Sequence, residues 1–282
     1  MRRSLRSRRS GERGFVLVTV LWIGLALLLG VSAFLSSARQ DALLTRVEVA
    51  SARANELARS GLNIALADLG RVSVDQLSTP HDNTPVTLTM AEGRVTYRIQ
   101  DEAGKIDINH APTQILGPVL QSIGEAEGVD AFEAVNVAQA LQAMSNRGAQ
   151  ARSVGDALRS AGLTASTART AEKYLTTFNF TNKINPRTAP LITLSAIPGL
   201  GPDGAVEIIA RREAGLQMPR LGTASAWLAE RAGPVYTITA EAELTTGGKV
   251  ELVALVATRG LAFRGGLMRY EVLSMRTLQG RQ

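Results

Sequence analysis

Asp101, Glu102 and Asp107 stand close together in the sequence, and carboxylates so grouped could exchange protons or hold a hard cation such as calcium. At the junction of a strand and a helix, such carboxylates more commonly cap backbone or face solvent. The partners that chemistry needs are scarce. The chain has no cysteine, which removes disulfides, thiol nucleophiles and zinc–thiolate sites together. Its only two histidines, His81 and His110, are far apart in sequence and leave little for a histidine-based triad or zinc site. No Gly-x-Ser-x-Gly, phosphate-binding loop or His-Glu-x-x-His spacing occurs. Trp22 and Trp227 read as packing residues. The chain is not expected to be an enzyme.

A second group could bind phosphate. Leu194-Ser195-Ala196-Ile197-Pro198-Gly199-Leu200-Gly201-Pro202-Asp203, followed by Ile208-Ile209, has the pattern of a helix-hairpin-helix. In a DNA-binding version, Gly199 and Gly201 would open backbone N–H groups toward a phosphate at the start of the second helix, with Arg211, Arg212 and Arg220 nearby. Pro202 removes one of those N–H groups, and Asp203 places a carboxylate where the phosphate would sit; Glu207 adds to the repulsion. The residues favour a structural hairpin, with an anchored DNA receptor as the alternative function.

The third candidate is a peptide bond. Arg2, Arg3, Arg6, Arg8, Arg9 and Arg13 against Glu12 supply +5 of the formal net charge of +6 before Gly14. Phe15 to Leu35 then runs for 21 residues without an ionisable side chain. That length suits a bilayer core of about 30 Å, and the arginines hold their end in the cytoplasm. The pI near 10 is therefore a topology signal more than a nucleic-acid signal. Val31-Ser32-Ala33 and Ser36-Ser37-Ala38 are tolerable signal-peptidase sites, so a cleaved secretory signal and a permanent anchor both stand as readings.

The elements that must position these groups follow. Leu43, Val47, Ala50, Ala54 and Leu57 recur at helical spacing, with Ala65 and Leu69 further on, and residues 36–69 contain no proline. The span thus continues into an amphipathic helix over 15–69, about 80 Å long at 1.5 Å per residue. Val86–Met90 and Arg94–Ile99 alternate about an Ala91-Glu92-Gly93 turn, predicting a hairpin. Val235–Ala242, Lys249–Thr258 and Met268–Met275 predict further strands. Residues 110–232 between them are rich in alanine, leucine and glutamine and show no strand pattern. Lys105-Ile106-Asp107-Ile108-Asn109-His110-Ala111-Pro112 is echoed by Lys183-Ile184-Asn185-Pro186-Arg187-Thr188-Ala189-Pro190, which predicts two related helical subdomains, each N-capped by Asn109 or Asn185.

A basic leader ending in Gly14, then Phe15 and an apolar stretch inside a much longer helix, resembles a type IV prepilin. That resemblance implies cleavage between Gly14 and Phe15 by prepilin peptidase and N-methylation of Phe15. The apolar segment then anchors the subunit and later packs in a fibre. Most of that family carries glutamate at the fifth mature residue; here it is Thr19, which cannot form the corresponding ion pair. The missing glutamate, the interrupted sheet and the segment Asp101-Glu102-Ala103-Gly104-Lys105-Ile106-Asp107-Ile108-Asn109 together resemble the K-type minor pseudopilins of type II secretion systems.

The fold implied is α+β and type IV pilin-like, with a long N-terminal helix packed on an antiparallel sheet that a large all-helical insertion interrupts. The divisions expected are a cleaved leader over 1–14, a helix over 15–69 (membrane-spanning over 15–35) and the first part of the sheet over 70–109. An insertion over 110–232, with the hairpin-like segment at 185–215, and the remaining strands over 233–282 complete the chain. The resemblance implies a fibre-tip subunit in the bacterial inner membrane, N-terminus cytoplasmic and C-terminal domain periplasmic. Its partners would be other minor pseudopilins, the major pseudopilin, the inner-membrane assembly platform and prepilin peptidase. Calcium is a cofactor the resemblance allows, with no ligands assigned.

Overall fold

A computed structural model describes residues 11–70, 80–127, 131–259 and 269–279. The leader residues 1–10 lie outside the described residues. The chain divides into two units, one ending at Arg53 and one beginning at Ala54.

Over its described residues the first unit is helix. Helix α1 runs Gly11–Leu69, and its apolar part reaches a mean hydropathy of 2.5 over an 18-residue window, with none of that window buried. It is long and apolar enough to cross a membrane. Thr19 and Ser32 satisfy their hydroxyls internally by donating to the carbonyls of Phe15 (2.9 Å) and Leu28 (2.7 Å). That internal bond removes much of the cost of a hydroxyl in hydrocarbon.

In the second unit, Ala54, Leu57, Ala58, Leu62, Ala65 and Leu69 of the same helix are buried along one stripe. Leu43 and Val47, expected on that stripe, are exposed members of the first unit, so burial begins only at Ala54. The stripe lies on a sheet. A Cβ built on Gly61 would stand 2.3 Å from Cγ1 of Val95 and 3.5 Å from the Ala240 methyl, so the helix approaches as closely as a glycine allows. Tyr97 donates its hydroxyl to Asp68 at 3.1 Å, tying helix to strand.

Five strands form that sheet: β1 (Val86–Met90), β2 (Gly93–Asp101), β5 (Val235–Leu244), β6 (Lys249–Arg259) and β7 (Arg269–Gln279), in the order β1-β2-β5-β6-β7 and antiparallel throughout. The first hairpin loop is only Ala91-Glu92, because Gly93 already pairs with Met90. A Cβ on Gly93 would lie 2.1 Å from the Glu243 carbonyl oxygen, so the neighbouring strand admits only glycine there.

The insertion leaves at the end of β2 and returns at the start of β5. It contains β3 (Ile106–Asp107), α2 (Thr113–Glu127), α3 (Ala131–Asn146), α4 (Val154–Ser160), α5 (Ala165–Ala171), β4 (Leu175–Thr176), α6 (Leu191–Ser195) and α7 (Gly201–Glu213). It is not all helix: β3 and β4 pair in parallel, Ile106 with Leu175 and Asp107 with Thr176. Strands of two residues are too short to leave an alternation in the sequence. Its buried side chains, Ile115, Leu158, Leu194 and Ile208 among them, form one continuous core, not the two subdomains expected.

The sequence echo is nonetheless structural. Asp107 accepts from the Asn109 N–H at 2.9 Å, and Asn185 accepts from the Arg187 N–H at 3.1 Å. Their carbonyls receive the N–H groups of Ala111 (2.8 Å) and Ala189 (3.0 Å). Asn109 and Asn185 do not cap the following helices, because Pro112 and Pro190 already begin those turns. Asn109 instead clamps Ala151 through both its amide N–H and its carbonyl oxygen, at 3.0 and 2.8 Å.

Candidate functional site

Three candidate sites come out of the sequence, and each is placed by its element. Gly14 and Phe15 lie within α1 at the start of the apolar run, with Phe15 exposed.

The hairpin forms as expected between α6 and α7. Gly199 (φ +82°) and Gly201 (φ +67°) both sit in the left-handed region that glycine tolerates without strain. Pro202 lies in the first turn of α7 and Asp203 follows it. Gly199 is exposed, and Thr223 packs against its side-chain side, where a Cβ would stand 2.3 Å from the hydroxyl. Two of the three cations are engaged too. Arg211 donates to Glu207 at 2.9 Å one turn earlier. Arg212 donates to the Ala189 carbonyl at 2.9 Å and stands 3.3 Å from Asp82, an ion pair without the alignment of a hydrogen bond. The side chains meant for phosphate instead join α7 to its own turn, to the 185–190 segment and to the loop at Asp82.

The acidic cluster is the third site, and here the solvated alternative fails. Asp101, Glu102 and Asp107 are all buried, at 1%, 3% and 1% exposure. Asp101 ends β2 and caps the following turn by accepting from the Ala103 N–H at 2.9 Å. It also accepts from the Gly233 N–H at 3.1 Å and from the Asn185 amide at 3.3 Å. One carboxylate thus holds the exit of the insertion, its middle and its return. Glu102 faces Lys105 at 2.7 Å and accepts the Thr237 hydroxyl at 2.6 Å. Asp107 accepts from the Phe180 N–H at 2.8 Å and stands 3.1 Å from Nδ1 of His110.

Burial pushes the Asp101 carboxyl up to about 6; the N–H donors of Ala103, Gly233 and Asn185 oppose the rise, and Glu102 adds to it. Burial also lowers His81, against the pull of Asp68 and Asp82, so that ring favours its neutral form. Its ring meets Tyr236 edge-on at 5.4 Å. Among the described residues no group of three or more His, Asp or Glu is arranged to hold a metal. The carboxylates point at backbone N–H groups and at Lys105, a donor set that satisfies a carboxylate and competes with a cation. The site is a seam that joins the exit, the middle and the return of the insertion.

Sequence reasoning found Asp101, Glu102 and Asp107 but not what they hold. Asn179, Asn185 and Gly233 complete the seam. Asn179 directs its amide at the carbonyls of Lys105 (3.1 Å) and Lys183 (2.8 Å). The only available signal was the repeated Lys-Ile-Asx-x-x-x-Ala-Pro, in which Asp107 and Asn185 occupy equivalent places.

A long N-terminal helix, an antiparallel sheet against its C-terminal turns and a helical insertion between adjacent strands make this a pilin-like fold. No model of a known sequence family matches the chain, and no curated protein does. A solved structure that it resembles is a chain in the crystal structure of the GspK-GspI-GspJ complex from the type 2 secretion system of enterotoxigenic Escherichia coli. The TM-score is 0.53 and the identity 14%, over 84% of this chain and 99% of that one. At that identity the likeness is one of fold.

Proposed function

We propose that this chain is a K-type minor pseudopilin of a type II protein secretion system. It is cut between Gly14 and Phe15 by prepilin peptidase, N-methylated at Phe15, and held in the bacterial inner membrane by residues 15–35 with its second unit in the periplasm. It then caps and helps initiate the pseudopilus as a tip subunit beside other minor pseudopilins, above the major pseudopilin and the assembly platform. It moves folded proteins by assembly, with no chemistry of its own. The observation that carries this reading is the large insertion between two adjacent strands of a pilin-like sheet, in a fold that spans nearly the whole of a chain from a GspK-GspI-GspJ complex.

Thr19 and the insertion support the tip position. Without the fifth-position carboxylate the subunit lacks one side of an intersubunit ion pair, and a head enlarged by about 120 residues crowds anything stacked above it. Both are tolerable where nothing lies above. Two measurements test this. The N-terminal mass of the mature chain should correspond to methylated Phe15; an intact Met1 or a start near Phe34 or Arg39 overturns the processing. Gold-labelled protein should appear only at fibre ends, and label along the shaft overturns the tip.

A further inference from the structure

The two edges of the sheet are built differently. Strand β1 is 5 residues long and turns threonines outward at its exposed positions, as protected edges commonly do. Strand β7 is 11 residues long, ends the sheet on the other side, and has every residue from Glu271 to Leu278 exposed. Val272, Leu273, Met275 and Leu278 are large apolar residues among these; in all the rest of the second unit only Val135, Phe180, Leu191, Val206 and Leu216 are comparable among the described residues.

Both faces of β7 carry exposed apolar side chains, interspersed with Glu271, Ser274, Arg276 and Thr277. Met275 and Val272 pair with Ala254 and Val256, the buried row that faces the helix, whereas Leu273 lines a groove on the opposite face with Val253 and Leu255. Its length and its exposed apolar side chains set this edge apart from β1. The groove, of about 510 Å³, runs between this edge and the insertion. Its acids are already matched, Glu102 with Lys105 at 2.7 Å and Glu172 with Arg276 at 3.2 Å. Arg152 also lines it and pairs with no carboxylate among the described residues.

We propose that the open edge of β7 receives one added β-strand from a neighbouring pilin-like subunit. The added segment carries apolar side chains at alternate positions toward the groove and one carboxylate toward Arg152. Main-chain hydrogen bonds along residues 272–278 supply the attachment, and the groove supplies the selection. The identity of the neighbour rests on the function proposed above; the edge and its groove do not.

The experiment uses the full chain in detergent micelles, alone and after mixing with the purified minor pseudopilins of the same system. Association is read by co-elution and β7 by hydrogen exchange. In the complex, amides across 272–278 should slow by about tenfold or more, with no such slowing in the chain alone. Leu273→Lys and Leu278→Lys should fold normally, since both side chains are exposed, and weaken association more than tenfold. Arg152→Glu should weaken it several-fold, and Val206→Lys, exposed on α7, should leave it unchanged. Association without β7 protection overturns the added strand and leaves the functional reading standing. Failure to associate with any of these subunits overturns both. Protection already present in the chain alone means that a second copy or the chain itself covers the edge, and also overturns the proposal.

Discussion

Asp101 is a carboxylate held at a pKa of about 6 in spite of three N–H donors, because burial outweighs them. The folded chain therefore keeps this proton up to about pH 6, whereas the unfolded chain releases it near 3.9. Between those values the folded state binds more protons, so this group's contribution to stability falls as pH rises from about 4 to 6 and is flat above. The total is on the order of 2–3 kcal/mol. Asp101→Asn should remove that fall, seen as a change in the difference between melting temperatures at pH 4 and pH 7; an unaltered difference would clear Asp101 as its source. The hairpin glycines offer a second contrast. Gly201→Ala meets open space and should cost about 1–2 kcal/mol from its left-handed backbone alone. Gly199→Ala adds a collision with Thr223 and should cost more in the same denaturant titration.

At the scale of elements, the close packing of α1 on the sheet hangs on Gly61. An alanine there gains about 1 kcal/mol of helix propensity, but its methyl collides with Val95, a β-branched residue with no exposed surface and no room to turn. Overpacking of this kind costs about 1–3 kcal/mol. Gly61→Ala should therefore lower the melting temperature of the full chain, and Gly24→Ala, with nothing within 4 Å, should not. How much of this was legible in the sequence follows from the range of each interaction. The long helix and the five strands were readable because they repeat over many residues: the expected starts and ends of β5 and β6 fall within two residues of those found. Burial along the helix was not, since Leu43 and Ala54 are equivalent in period and differ only in whether a sheet lies opposite. The helix-hairpin-helix was legible through its glycines, yet the contacts that Thr223, Asp82 and Ala189 make with it are ones that no local pattern announces. The capping asparagines were misread because Asn109 and Asn185 precede prolines that take the capping position, freeing both amides for contacts 42 and 84 residues away in sequence.

For the molecule as a whole, the tip assignment makes a demand on Thr19. Its hydroxyl is satisfied by the Phe15 carbonyl, so Thr19→Glu exchanges a quiet residue for a charge in an apolar span. Mature-chain mass should show normal processing, and secretion and fibre assembly should not improve, because a tip subunit has no neighbour above it to pair with. The seam has a consequence of another kind, in time. Asp101 pairs with Tyr236 across β2 and β5, although roughly 130 residues separate them. Joining those strands across an unstructured chain of that length costs about 3 kcal/mol more than closing a four-residue turn. The insertion, with its own core, brings the two ends together once it has collapsed and so shortens the loop to almost nothing. We predict that the insertion folds first and that the sheet inherits its central pairing from it. Ile115→Ala, fully buried in the insertion and touching no strand of the sheet's ladder, should slow protection of the β2 and β5 amides in pulsed hydrogen exchange during refolding. On that prediction the insertion is a scaffold for the sheet's own assembly, raised first and left in place.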